Sequence, residues 1–79
     1  MKIPRDVSGH DLVQMLSRDW GYLVVHQEGS HIVLGTREPS KHRIVVPAHK
    51  SLRVGTLNAI LRAVAKHKGV ERQDLLESL

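Results

Sequence analysis

The sequence predicts an α+β domain: a helix, a three-stranded antiparallel sheet, a second helix and a short third one, with helices over one face of the sheet. Apolar residues recur at helical spacing behind a serine, at Leu12, Val13 and Leu16 with Met15 beside them, and again at Leu57, Ile60, Leu61 and Val64. Between Tyr22 and Val46 lie short runs rich in β-branched residues, separated by Gly-, Pro- and Ser-containing turns. With 79 residues, the chain is expected to be a single domain, residues 1–79, that buries about 60% of its unfolded surface.

Ile3, Pro4 and Arg5 read as an extended lead-in, because proline disfavours helix in its predecessor. Ser8 and Asp11 match a capping box and open the first helix, residues 8–19. Gly21, able to adopt the left-handed conformation, supplies its stop. Strand one is expected over residues 22–27, and Glu28-Gly29 as a two-residue hairpin loop. Strand two then covers residues 30–37, Glu38-Pro39-Ser40-Lys41 forms a turn, and strand three covers residues 42–46, ending at Pro47. With that loop, Gln27 pairs with Ser30 and His26 with His31, which sets two imidazoles side by side on one face. Both sheet faces look apolar, so part of the uncovered one is expected to meet a partner. Helix two is expected to start near Thr56, as N-cap, and to end at Gly69. A short helix from about Glu71 carries Val70 and Leu75 at the spacing of a hydrophobic staple.

Charge is unevenly distributed. Residues 1–28 carry three Lys/Arg against four Asp/Glu, for −1; residues 29–70 carry eight against one, for +7; residues 71–79 carry one against three, for −2. A basic segment of this kind is the footprint expected for a polyanion partner, against the plainer reading of a solvated basic face. The chain has no cysteine, which excludes disulfides and thiolate zinc sites and fits a reducing compartment. No apolar run approaches the roughly 18 residues of a membrane span and no signal-peptide core is visible, so a soluble, cytoplasmic protein without membrane contact is expected.

Phosphate-binding glycine loops, His-Glu-x-x-His pairs and Gly-x-Ser-x-Gly elbows are absent. Trp20 and Tyr22 are the only aromatic residues, too few for a base-stacking platform, so a nucleic acid would be gripped by its backbone. Of the six histidines, His10 and His67 are most simply surface residues, His67 as a dipole partner at a helix end. His26, His31, His42 and His49 lack recognisable ligand spacing, so neither metal nor other cofactor is expected. His31 directly follows Gly29 and Ser30, where backbone can approach a ligand closely. A neutral imidazole there could take the proton of a ribose 2′-hydroxyl. Lys50 and Arg53, just before helix two, with Lys41 and Arg43, are the candidates to hold phosphate, and Gly29 and Ser30 to shape the site. His26 is the candidate general acid if the hairpin register holds. Judged on composition alone, a lone turn histidine is more often structural than catalytic.

In their order and spacing, several segments resemble the HicA toxins, also described as YcfA-like. They are Pro4 with Ser8-Gly9, Gly21-Tyr22, Gln27-Glu28-Gly29-Ser30-His31, Val46-Pro47-Ala48-His49-Lys50, and Gly55-Thr56-Leu57 followed by Ile60-Leu61-Arg62. The resemblance implies a double-stranded-RNA-binding-domain-like fold, ribosome-independent cleavage of mRNA, and inhibition by a HicB-type antitoxin. It implies that His31 is the catalytic histidine and gives His49 a supporting place. Tyr22 stands where the family often has phenylalanine or tryptophan, and Ile32 where a second histidine is common. Helix two looks longer by about one turn, through Ala65-Lys66-His67-Lys68. The rival expectations are a non-catalytic double-stranded-RNA-binding module and a subunit that binds only protein; homo-oligomerisation is left open.

Overall fold

Ser8 Oγ accepts a hydrogen bond from the Asp11 N–H at 3.0 Å, and the Ser8 N–H donates to Asp11 Oδ2 at 3.3 Å. Two of the N–H groups that a helix start leaves unpaired are thereby satisfied, and helix α1 runs Gly9–Asp19 behind them. It buries Leu12, Met15 and Leu16. It ends with Gly21 at φ +71° and the Tyr22 N–H turned back to the Leu16 carbonyl at 3.1 Å. The computed structural model describes residues 6–79; the lead-in expected at Ile3, Pro4 and Arg5 lies outside them.

Strands β1 (Leu23–Glu28), β2 (His31–Thr36) and β3 (His42–Pro47) form one antiparallel sheet in the order β1-β2-β3. The expected register is corrected here. The hairpin loop is Gly29 and Ser30, not Glu28 and Gly29, so Glu28 pairs with His31, Gln27 with Ile32 and His26 with Val33. The expected pairs Gln27–Ser30 and His26–His31 do not form. The cause is backbone sterics: the first residue of a two-residue hairpin loop needs positive φ. Gly29 takes φ +59°, a conformation that would strain a glutamate. A β-bulge between Val24 and His26 absorbs one residue of β1 and brings Val25 over Gly35, where a Cβ would lie 2.9 Å from Val25 Cγ2.

Strand alternation sorts the two faces. Ile32, Leu34, Thr36, Ile44 and Val46 are buried on the side where α1 and α2 pack. His31, Val33, Gly35, Arg43, Val45 and Pro47 fall by register on the other. That open face carries Leu23, 70% exposed, Val25, 50% exposed, and Val45, 48% exposed. The apolar second face is therefore real, and no described helix covers it.

Helix α2 spans Val54–Lys68, and its N-cap is Arg53, three residues before the expected Thr56, with no side-chain cap bond. Leu52 sets this start: its side chain is buried and its N–H donates to the Val7 carbonyl at 2.7 Å, which fixes the chain just ahead of the first turn. Leu57, Ile60, Leu61, Val64 and Ala65 face the core, and Gly69 at φ +69° closes the helix. Helix α3 (Arg72–Ser78) follows, burying Leu75 and Leu76. Ser78 ties it to the end of α1, its Oγ accepting from Trp20 Nε1 at 3.3 Å and its carbonyl from Arg18 Nη2 at 3.1 Å. The described chain is a slab of 30 × 30 × 19 Å, as one helical layer on one sheet requires. No described helix is long and apolar enough to cross a membrane.

Candidate functional site

At one end of the open face the Gly29-Ser30 turn meets the segment after β3. The Ser30 carbonyl accepts from the Ala48 N–H at 2.6 Å, and the His49 carbonyl accepts from the Gly9 N–H at 2.9 Å. Gly9 is needed for this approach, since a Cβ there would lie 2.0 Å from the Pro47 carbonyl oxygen. Residues 47–49 are thus held between the hairpin turn and the start of α1. Segments far apart in sequence come together around His31, which opens β2 and is solvent-exposed.

The open face presents its side chains in rows across the strands. The row nearest the turn is Glu28, His31 and Pro47; the next is His26, Val33 and Val45; the third is Leu23, Gly35 and Arg43. Rows on one face follow each other at about 7 Å, two residues along a strand. His26 therefore shares the face of His31 but stands one row away instead of directly opposite. The place across from His31 belongs to Glu28, whose Oε2 lies 3.8 Å from His26 Nε2, an ion pair when that imidazole is protonated. Sequence reasoning missed Glu28. The signal was the glycine-first order of Gly29-Ser30, which marks the loop and leaves Glu28 as the last residue of β1.

The expected phosphate ligands divide. Lys50 and Arg53 are exposed: Lys50 comes two residues after Ala48, which bonds the Ser30 carbonyl, and Arg53 is the N-cap of α2, after the Leu52 that is tied to Val7. Arg43 lies on the open face two rows from His31, about 13 Å along the strand. Lys41 precedes β3 at the far end. Gly29 and Ser30 form the turn itself, and His49 contributes its backbone carbonyl to the clamp on Gly9, with its side chain exposed.

On the covered side the structure groups residues that the sequence did not connect. Tyr22 Oη lies 3.0 Å from His42 Nδ1, and the His42 and His67 rings stack with centroids 4.2 Å apart. His67 Nε2 donates to the Ser40 carbonyl at 2.9 Å. Lys68 Nζ donates to Thr36 Oγ1 at 3.1 Å and to the Glu38 carbonyl at 2.6 Å, and stands 5.2 Å from the centre of the Tyr22 ring. Burial first, then the charges of His67 and Lys68, lower the pKa of His42, and burial raises that of Tyr22. His67 lies in the last turn of α2, as expected for a dipole partner, and in addition links the end of α2 to the β2–β3 turn. Its position one residue before Lys68 in the extra helical turn carried no such signal, because the contact depends on where β3 begins.

The arrangement of helix, three strands and helix, with a Gly-Ser-His turn at the sheet end, can be set beside known proteins. A family model described as the HicA toxin of bacterial toxin–antitoxin systems matches residues 9–65. The chain belongs to the HicA toxin family. Neither the curated proteins nor the solved structures gave a match. The HicA match covers α1, the whole sheet and α2 through Ala65, and so contains every element that builds the His31 end. It makes this chain a toxin component of a toxin–antitoxin system, with an antitoxin as its partner class. α3, which closes the core against α1 and α2, lies outside the matched span.

Proposed function

We propose that this HicA-family chain is an endoribonuclease, the toxin of a HicAB-type pair, which cleaves mRNA independently of the ribosome in the cytoplasm and is held inactive by a HicB-type antitoxin. The observation that carries the reading is the exposed His31 on the uncovered sheet face, beside the tethered segment with Lys50 and Arg53, in a chain of the HicA family. RNA lying across this end would have its phosphates drawn to the basic segment. Neutral His31 takes the proton of a 2′-hydroxyl, the 2′-oxygen bonds to the adjacent phosphorus, and the bond from phosphorus to the 5′-oxygen breaks. The departing oxygen takes a proton from His26 or from water, leaving a 2′,3′-cyclic phosphate and a 5′-hydroxyl. Gly29 and Ser30 shape the turn, Lys50 and Arg53 hold phosphate, and Arg43 and Lys41 can engage only RNA that extends along the strands. His49 supports the segment through its backbone. No cofactor takes part in these steps.

The test is cleavage of RNA by the purified protein in the presence of a chelator, beside His31→Ala. The variant is expected to lose about 10²-fold or more in rate, the scale of general-base catalysis, with unchanged stability because His31 is exposed. Equal cleavage by both proteins would remove His31 from the chemistry. Salt-sensitive RNA binding with no cleavage by either would favour a non-catalytic RNA-binding module.

A further inference from the structure

The open face gives His31 a direct cross-strand partner that the ribonuclease reading leaves without a task. Glu28 closes β1 opposite His31, so their Cβ atoms are about 5 Å apart on one face. The same carboxylate is 3.8 Å from His26 Nε2, with side chains 61% exposed for His26 and 87% exposed for Glu28. The hairpin thus sets one carboxylate between two imidazoles. His26 and Glu28 stand two residues apart on a regularly paired part of β1, so strand alternation alone puts them on one face, and the bulge lies beyond His26.

We propose that Glu28 is a positioning residue for RNA cleavage, holding protonated His26 by its Nε2 so that the His26 Nδ1 proton is available to the leaving 5′-oxygen while His31 acts as base. This rests on the ribonuclease reading above and deepens it. The proton balance is closed: one proton passes from the 2′-hydroxyl to His31, another from His26 to the 5′-oxygen as its bond to phosphorus breaks, and solvent restores both imidazoles. In the free protein the ion pair is open to water and worth little. RNA seated on this face displaces that water, and the attraction between carboxylate and imidazolium grows as the local dielectric falls. The contribution of Glu28 therefore belongs to the bound complex and should appear in kcat. Among the described residues Glu28 is the one acidic residue that the register puts on this face, where the polar side chains beside it are His26, His31 and Arg43, so its charge opposes RNA binding.

The experiment is steady-state cleavage of one oligoribonucleotide by wild type, Glu28→Gln, His26→Ala and the double variant. Glu28→Gln keeps the size of the side chain and removes its charge. Its kcat is expected to fall roughly tenfold or more, part of the about 10²–10⁴-fold that acid–base catalysis supplies, with KM equal or lower. In the His26→Ala background the same substitution should change kcat less than about twofold, because two residues acting as a unit are not additive. A wild-type kcat in Glu28→Gln would overturn the proposal, and so would an equal fold-loss in the His26→Ala background. Failure of the underlying reading looks different: His31→Ala would then cleave as fast as wild type.

Discussion

His42 occupies an inward position of β3 opposite Thr36, and its half-buried ring touches Tyr22 and stacks on His67, with the Lys68 charge nearby. Burial, then the neighbouring charges, set its folded-state pKa below the ordinary 6.5. The unfolded chain then binds a proton more readily than the folded one, so stability rises with pH in this window. The contribution is whole above about pH 6.5, the unfolded value, and is lost as pH falls through the folded value. Urea midpoints measured at pH 7.5 and 5.5 should separate more for wild type than for His42→Gln. Equal separation would mean that His42 does not carry the dependence. None of this was legible from single residues: His42 was one of four histidines without a spacing pattern, and its partner His67 lies 25 positions away. His31, by contrast, was legible because the Gly-Ser turn before it is local.

Elements were readable where the signal was contained within one of them. The capping box at Ser8, the apolar stripe of α2 and the glycine stop at Gly69 depend on neighbours in sequence, and all three stand in the structure. The β1–β2 register turns on which two residues form the loop, and strand composition does not show that Gly29, at φ +59°, comes first in it; the bulge between Val24 and His26 then shifts the alternation of the rest of β1 without a glycine to mark it. Gly9 shows how an element positions the site. A methyl group there would meet the Pro47 carbonyl oxygen at 2.0 Å, with backbone on both sides of the clash. Gly9→Ala is expected to destabilise the fold by about 1–3 kcal/mol in urea unfolding and to slow RNA cleavage by moving residues 47–49 away from Ser30. Gly55, in the first turn of α2 with nothing within 4 Å of an added Cβ, is the control. Gly55→Ala should leave stability unchanged or raise it by up to about 1 kcal/mol. Similar losses from both substitutions would contradict the role given to the contact at Gly9.

Across the whole molecule, the net charge of +7 over residues 29–70 pointed to a polyanion, but the sequence could not say which of those charges act together. Lys50 and Arg53 follow the end of β3 that is bonded to the turn before His31, and Lys41 precedes its other end. RNA bound for cleavage at His31 should therefore lose affinity when Lys50 or Arg53 becomes alanine, each lowering the slope of log K against log salt by roughly 0.7, the single-strand value for one phosphate contact. Lys41→Ala should change that slope less on a short oligonucleotide. Equal effects at the three positions would mean that binding is spread over the basic surface without a preferred end. The apolar open face, with Leu23, Val25 and Val45 exposed, is the largest feature that composition anticipated and the fold leaves uncovered.

In the proposed reaction a 2′-hydroxyl, activated at the His31 end of the open face, cuts the RNA chain. This step is tested most directly with an oligoribonucleotide carrying a single 2′-deoxy residue at its mapped cleavage position, incubated with the purified protein and a chelator. This linkage is expected to stay intact while the all-ribose parent is cut to 2′,3′-cyclic phosphate and 5′-hydroxyl ends. Cleavage of the deoxy linkage at the parent rate would contradict it.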